Sequence, residues 1–244
     1  MFNTDYYDSQ DFGTDQEFRV AKTIHVTKTM QTLFLQFLFT FGCVVLSTFN
    51  PVVHAFVLSN MTQMIVIGGL GCLAMIMYMM SVSRKTAYHL AVFTVYETMA
   101  VCAGSTMYGK DVVMMAILST LGISVGLGVY ALTSANYHHG FVSLLGSGLT
   151  CIFTMGFINF LFNIPFLHTL ELYMGTLIFF GYIVFDVQCF LGERSKFSAT
   201  IQEDLHIDAA LNIYLDVINI FVRMSEIISK MKNDDRNQEP KKCE

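Results

Sequence analysis

The 244-residue sequence has few charged side chains. Asp, Glu, Lys and Arg together make up 14% of it, against about a quarter in typical soluble domains. Hydrophobic residues make up 54% of the sequence, and the charges lie mainly at its two ends and in short islands. This pattern excludes an ordinary soluble domain. It predicts an all-α polytopic membrane protein.

Several other features are absent, and each absence excludes a class of function. No basic face exists that would hold nucleic acid phosphates, and the net charge is −5. The six cysteines are scattered singly, which does not indicate a disulfide framework or a zinc site. The acidic first 18 residues do not resemble a cleavable signal peptide. No H-E-x-x-H, G-x-S-x-G or phosphate-binding loop occurs, so we expect neither an enzyme nor a bound cofactor.

Six apolar stretches are each long enough to cross a hydrocarbon core of about 30 Å. Short links join most of them, which predicts an up-and-down bundle. We therefore expect an acidic cytosolic tail over 1–30, a helical bundle over 31–229 and a Lys-rich cytosolic tail over 230–244. The six stretches are Thr32–Phe49, Phe56–Met80, Tyr88–Met107, Val112–Thr133, Phe141–Phe162 and Leu170–Leu191.

Glycines are frequent inside these stretches. Small residues let membrane helices approach closely, so the segments GLGC (69–72) and GISVGLG (122–128) predict packing seams. The G-x-x-x-G spacing of Gly122 and Gly126 supports this interpretation.

A seventh apolar segment, from Asp208 to about Ile228, has one polar face. Six polar residues recur in it at spacings of three or four, so on a helix they fall within an arc of about 80°. The stripe predicts a helix that is inserted in the membrane and faces something polar. Its members are Asp208, Asn212, Asp216, Asn219, Arg223 and Glu226.

The basic residues predict the orientation. Seven Lys or Arg residues lie in the N-terminal tail and the even-numbered links, whereas the other links contain only Lys110. The basic C-terminal tail favours the cytosol too, and two cytosolic termini require an even number of crossings. We favour six spans with a re-entrant seventh helix. The alternative is seven spans with the C-terminal tail on the far side.

Asp186 and Asp216 are the main candidates for a functional site. Each lies in an apolar helix, where a charge costs about 2.5 kcal/mol or more. Antiparallel neighbouring helices can bring them to one depth, where two carboxylates would share a proton or transiently bind a divalent cation such as Ca²⁺. The alternative is that one aspartate caps a helix and the other pairs with Arg223 or a lysine.

Other polar residues are possible supports of this site. Glu97, near the middle of the third span, is either part of a cation path or a carboxyl that is ion-paired or protonated. Asn212 and Asn219 flank Asp216 and either supply oxygen ligands or hydrogen-bond neighbouring helices. Arg223 ends the same polar face.

The chain ends KKCE, with Lys241 and Lys242 at the fourth and third positions from its end. This spacing resembles the dilysine retrieval signal of endoplasmic reticulum membrane proteins. The alternative is an ordinary solvated tail.

Two segments resemble the signature of the Bax inhibitor-1 family. They are LELYMGTLIFFGYIVFDVQ (170–188) and LNIYLDVINIFVRM (211–224). The signature combines E-L-Y-x-G, G-Y-x-x-x-D-x-Q and L-x-L-Y-x-D-x-x-x-x-F. The match is close over about the last 75 residues, whereas the earlier spans agree in number and spacing only.

The resemblance implies a bundle of six or seven helices in endoplasmic reticulum or Golgi membranes. It also implies a pH-dependent Ca²⁺ leak, or Ca²⁺/H⁺ exchange, that lowers store Ca²⁺ and suppresses apoptosis. The family's proton-sensing aspartate pair falls on Asp186 and Asp216. Some members have a second acid where this chain has Asn212, and D-V-Q replaces the commoner D-T-Q.

Two alternative functions remain open. The protein is either a leak path or a cell-death regulator that acts mainly through partners, such as Bcl-2 family proteins or other endoplasmic reticulum Ca²⁺ channels. A more remote alternative is an intramembrane aspartyl protease, which also uses two aspartates on adjacent helices. The G-x-G-D and P-A-L motifs of such proteases are absent from the sequence.

Overall fold

A computed structural model describes residues 15–82, 85–134, 139–191 and 205–238. All the regular structure in these ranges is helical, which confirms the predicted all-α class. The helices are α1 (Asp15–Phe49), α2 (Pro51–Ser59), α3 (Met61–Ser81), α4 (Ala87–Ser105), α5 (Lys110–Thr133), α6 (His139–Phe162), α7 (Pro165–Phe190) and α8 (Leu205–Gln238).

The predicted second span is divided into two helices. The Asn50 side chain accepts hydrogen bonds from the backbone N–H groups of Val52 and Val53, and Pro51 occupies the first turn, so α2 begins here. Asn60 then ends α2 and begins α3. The sequence pattern predicts one continuous span here because a single asparagine does not interrupt the apolar run.

The helices extend beyond the predicted apolar stretches at several ends. α1 begins at Asp15, inside the predicted tail 1–30, and α7 begins at Pro165, five residues before Leu170. Asn163, just before α7, has a φ of 49°, the left-handed conformation that asparagine adopts more readily than most residues. It supports the tight turn between α6 and α7.

Six of the described helices are long and apolar enough to cross a membrane. α4 is not among them, although its 19 residues run through the bundle beside α1, α3 and α8. Its mean hydropathy is lower because it contains polar residues that are buried inside the protein. The six segments are Lys22–Phe49, Met61–Ser81, Lys110–Thr133, Ser143–Phe162, Pro165–Phe190 and Leu205–Asp235.

α8 is the central helix of the bundle. In its most apolar window 61% of the residues are buried, compared with 11% for α6. α8 packs against α1, α4, α5 and α7. Tyr214 and Phe221 are among its fully buried side chains. The prediction that the seventh helix packs into the bundle is confirmed.

α8 also runs from one end of the bundle to the other. Near its start Asp208 pairs with Lys85, just before α4. Near its end Lys232 pairs with Asp111, at the start of α5, at 3.0 Å. Because α4 connects these two ends, α8 passes along its whole length. Of the two arrangements, this path favours seven spans over a re-entrant seventh helix, since a re-entrant segment enters and leaves at one end.

Seven helices run through the bundle when α4 is counted with the six apolar ones. The start of α1 lies at the Lys85 end, because His25 is beside the Phe190 backbone and His206. The described residues thus begin at one end of the bundle, and α8 ends at the other. That both termini lie in the cytosol stays a prediction.

Buried hydroxyl and amide groups join α1, α4 and α8. Thr40 Oγ1 lies 2.9 Å from Thr98 Oγ1 and 2.8 Å from the Tyr214 hydroxyl. One turn away, the Gln36 amide donates to Thr94 Oγ1 at 2.9 Å. Interhelical hydrogen bonds of this kind fix the register of neighbouring membrane helices. Burial of apolar surface does not fix it, because lipid tails are as apolar as the side chains.

Candidate functional site

The structure brings Asp186 and Asp216 together. α7 and α8 are packed neighbours joined through residues 192–204, and each contributes one aspartate. The two carboxyl groups lie within hydrogen-bonding reach of each other. Their side chains are buried, with 8% and 6% of their surfaces exposed. The geometric expectation that the two carboxylates share one depth is confirmed.

A cavity of about 430 Å³ opens beside this pair, and we call it the inner cavity. It is lined on α8 by three members of the polar stripe and on α7 by the second aspartate, with aromatic side chains around them. The lining residues are Leu149, Phe153, Phe179, Tyr182, Asp186, Asn212, Leu215, Asp216 and Asn219. The cavity therefore exposes two carboxyl groups and two amides inside an apolar bundle.

One oxygen of the pair receives no hydrogen bond from another group of the protein. It is Asp216 Oδ2, which is buried. Two ionised carboxylates at this separation repel each other strongly in a medium of low dielectric constant. A shared proton or a bound cation removes that repulsion, so the arrangement can hold either one.

A second cavity of about 200 Å³, the outer cavity, lies further along α8 toward Asp111. Asn219 lines both cavities, so the polar stripe continues from one to the other. The outer cavity is lined by His168, Glu171, Leu172, Asn219, Val222, Arg223 and Glu226.

Glu226 is held by two basic groups in the outer cavity region. Its Oε1 lies 2.7 Å from His168 Nε2 and 2.9 Å from Lys230 Nζ. His168, on α7, thus has an acidic partner on the neighbouring helix.

The six polar residues of α8 thus have different surroundings. Asp208 pairs with Lys85, the next three line the inner cavity, and Arg223 and Glu226 line the outer cavity. Arg223 does not serve as the counter-ion of Asp216 in this structure. Its Nη1 donates to the backbone oxygen of Glu171 at 3.1 Å.

The sequence reading missed Tyr182, which stands beside both aspartates, and did not assign Glu171 to the site. A signal for these residues exists in α7. The α7 residues that line the two cavities fall within an arc of about 100° on one face of the helix. They are His168, Glu171, Leu172, Phe179, Tyr182 and Asp186.

Glu97 lies in a different part of the bundle. It lines neither the inner nor the outer cavity, and its Oε2 accepts a hydrogen bond from Cys72 Sγ at 3.0 Å. This position does not support Glu97 as part of a cation path along the two cavities, and among the described residues Glu97 forms no ion pair. Lys241 and Lys242 lie outside the described residues, so the retrieval signal stays a prediction.

No group of three His, Cys, Asp or Glu side chains suited to a metal ion occurs among the described residues. A cation at the aspartate pair would be held by two carboxylates with amide or water oxygens completing the shell. Such a set suits Ca²⁺ that binds weakly and leaves again, since affinity rises with the number of charged ligands.

Comparison with known proteins gives matches across most of the chain. A family model described as "Inhibitor of apoptosis-promoting Bax1" matches residues 22–234. Protein lifeguard 4 of Mus musculus is 27% identical over 205 residues, which cover 82% of each chain. Bax inhibitor 1 of Schizosaccharomyces pombe is 29% identical over 149 residues, or 61% of this chain and 53% of that protein. Protein lifeguard 3 of Homo sapiens is 25% identical over 231 residues, or 90% of this chain and 73% of that protein.

Proposed function

The chain belongs to the Bax inhibitor family of anti-apoptotic membrane proteins, and from this membership and its inner cavity we propose that it is a Ca²⁺ leak path. The membrane would be that of the endoplasmic reticulum or Golgi. In this proposal Asp186 and Asp216 bind the ion transiently and sense H⁺. Slow loss of Ca²⁺ from the store would then reduce the Ca²⁺ available to cell-death signals.

The single observation that supports this function most is the buried aspartate pair on a cavity. Ionisable residues inside membrane segments are costly and usually mark an ion or proton path. Here two such residues converge from different helices, and one carboxylate oxygen is buried without a partner. A structural role alone would not require two like charges to face each other.

The pair links ion binding to pH through its charge. With both carboxylates ionised, the site attracts Ca²⁺; with a proton between them, its negative charge falls and so does that attraction. The same change alters the electrostatic force between α7 and α8, which carry the two aspartates.

Full-length protein in liposomes that contain a Ca²⁺ dye tests the proposal. Asp186→Asn and Asp216→Asn each remove a carboxylate and keep the side-chain shape. We expect either variant to reduce Ca²⁺ flux about tenfold near neutral pH, because fewer charged ligands attract the ion. We also expect the wild-type flux to change between about pH 5.5 and 7.5, and both variants to lose this dependence because the pair no longer titrates.

Asp111→Asn is the matched control, because Asp111 is an exposed aspartate outside both cavities. It should leave the flux unchanged. Equal flux and equal pH dependence in wild type and both aspartate variants would refute the proposal. A protein that acts only through partners should pass no ions in this assay, and a pH dye inside the same liposomes separates leak from Ca²⁺/H⁺ exchange.

We place the Lys85 end of the bundle in the cytosol. Lys22 and Lys85 lie at this end, as the positive-inside rule favours, and the basic residues Lys230 and Lys232 of α8 lie at the other. Asp216 follows Asp208 by eight residues along α8, so it lies about 12 Å inward from that end. The outer cavity is then on the side of the store lumen.

A further inference from the structure

We propose that Arg223 is an electrostatic barrier to cations between the outer and inner cavities. Its guanidinium would keep Ca²⁺ passage slow, so that Arg223 sets the rate of the leak. This inference rests on the proposed leak function and adds a rate-determining residue to the path.

Arg223 lies at the boundary of the two cavities. It lines the outer cavity, and its Cζ lies 5.4 Å from the ring centroid of Phe179, which lines the inner cavity. Asn219, one turn earlier on α8, lines both. A cation that moves along the polar stripe between Glu226 and Asp216 must therefore pass the guanidinium.

Three residues of α7 form a site that accommodates the Arg223 guanidinium. The Glu171 backbone oxygen accepts a hydrogen bond from Arg223, and the Phe179 ring lies against the guanidinium face, an arrangement that stabilises a cation. Gly175 completes the position, since a Cβ atom there would overlap the guanidinium. The glycine of the E-L-Y-x-G segment thus has a specific role here, because it leaves room for the arginine.

In this position the Arg223 guanidinium is not paired with Asp186 or Asp216. Arg223 is near the carboxylates of Glu171 and Glu226, which balance its charge from the outer side. Glu226 is itself shared with His168 and Lys230. Asp216 is two turns away along α8, so the positive group lies at the boundary of the inner cavity and not at the aspartate pair.

Charge explains why this arrangement would slow cations. A divalent ion feels twice the repulsion of a monovalent ion from a fixed positive charge at the same distance. Removal of that charge lowers the barrier for Ca²⁺ more than for K⁺. Both the rate and the Ca²⁺/K⁺ permeability ratio should therefore depend on residue 223.

Flux through Arg223→Gln protein in liposomes is the test. Glutamine keeps a hydrogen-bond donor but removes the charge, so we expect Ca²⁺ flux to rise about tenfold and the Ca²⁺/K⁺ ratio to rise with it. Arg223→Lys keeps the charge and should stay nearer the wild type than the glutamine variant. Lys232→Gln is the control for loss of one positive charge on α8, since Lys232 pairs with Asp111 outside both cavities, and it should leave the flux unchanged.

The same assay on Arg223→Gln combined with Asp216→Asn separates this inference from the leak proposal. Loss of the added flux in the double variant shows that the ions pass the aspartate pair and supports the barrier. Wild-type flux that depends on Asp216 but does not rise in Arg223→Gln overturns the barrier and leaves the leak proposal standing. If the increase in flux caused by Arg223→Gln is the same with and without Asp216→Asn, the barrier inference is also overturned, because the ions then use another route. Absence of flux in every variant overturns both.

Gly175→Ala gives an independent test with the arginine present, should the glutamine variant fail to fold. The added methyl occupies the guanidinium position, so Arg223 must leave it. We expect a flux between those of wild type and Arg223→Gln. A folded Gly175→Ala protein with wild-type flux and wild-type permeability ratio overturns the barrier.

Discussion

The cost of a buried aspartate in α8 is compensated in an unusual way. Asp216 has no basic partner among the described residues; it faces Asp186 on α7, and the two carboxyl groups border a cavity. Repulsion in such a pair is relieved by a proton or a cation. This is the physical basis of the ion and pH sensing that we propose for the pair, and a closed ion pair with Arg223 would not provide it.

Asn212 gives a direct test of the charge in the inner cavity. It lines the cavity one turn before Asp216. Asn212→Asp adds a third carboxylate, and we expect the affinity of the purified protein for Ca²⁺ to rise about tenfold, since ligand charge strongly sets Ca²⁺ affinity. Equilibrium Ca²⁺ binding measures this. Asn233→Asp, on an exposed position of the same helix, should leave the affinity unchanged, and equal affinities for the two variants would contradict the prediction.

At the scale of helices, α7 and α8 act as one unit with matching polar faces. The α8 stripe meets an α7 face on which Glu171, Tyr182 and Asp186 recur at helical spacing. The opposite side of α8 packs against α1 and α4, where Tyr214 bonds to Thr40. α8 is thereby fixed on one side by interhelical hydrogen bonds and borders cavities on the other.

The packing of α3 against α4 depends on Gly68 and Gly71. The packing seam that the GLGC segment (69–72) predicts is confirmed at Gly71. A Cβ on Gly68 would lie 2.8 Å from the Tyr96 backbone oxygen, and one on Gly71 would overlap the Tyr96 ring. The seam predicted at Gly122 and Gly126 is wrong, because a Cβ at either position meets no atom within 4 Å. The sequence motif specifies small residues but not whether a helix lies next to them.

Alanine substitutions in α3 test this packing. Gly71→Ala should destabilise the protein by about 1–3 kcal/mol, the usual cost of a group inserted into a packed contact. Thermal unfolding in detergent should show a melting temperature lower by several degrees. Gly69→Ala is the matched control, since its Cβ meets nothing within 4 Å, and it should melt at or slightly above the wild-type temperature because alanine favours helices. Equal melting temperatures would show that α3 and α4 separate easily.

At the scale of the whole molecule, seven helices cross the bundle and α8 lies at its centre. The apolar side chains that remain exposed are concentrated on the outer helices, such as Leu70 on α3 and Phe157 on α6. These surfaces suit contact with lipid. The inner cavity, between α6, α7 and α8, and the outer cavity, between α7 and α8, are both partly open at the surface of the bundle.

We predict that the start of α1 and the end of α8 lie on opposite sides of the membrane. Protein with a tag at each terminus, inserted into sealed microsomes, tests this through protease digestion. We expect the N-terminal tag to be digested and the C-terminal tag to be protected until detergent is added, because α8 runs from the Lys85 end to the Asp111 end. Digestion of both tags in sealed microsomes would restore the even number of crossings and the cytosolic dilysine signal.

The sequence by itself determined the class of the protein, most of its spans, and the polar face of α8. Each of these follows from local composition and from the 3.6-residue period of the helix, which need no information about neighbours. The positions of Asp186 and Asp216 were also predictable, because few ionisable residues lie inside apolar segments and α7 precedes α8 directly.

Only the tertiary structure decided which groups share a cavity. It paired Glu97 with Cys72 away from the aspartates, gave Arg223 a position on α7 at Gly175, and extended α8 across the bundle. Residues far apart in the chain make these contacts, and a polar face specifies a direction on its own helix without specifying the helix that it meets. That choice depends on how all the helices pack together, which no local pattern records.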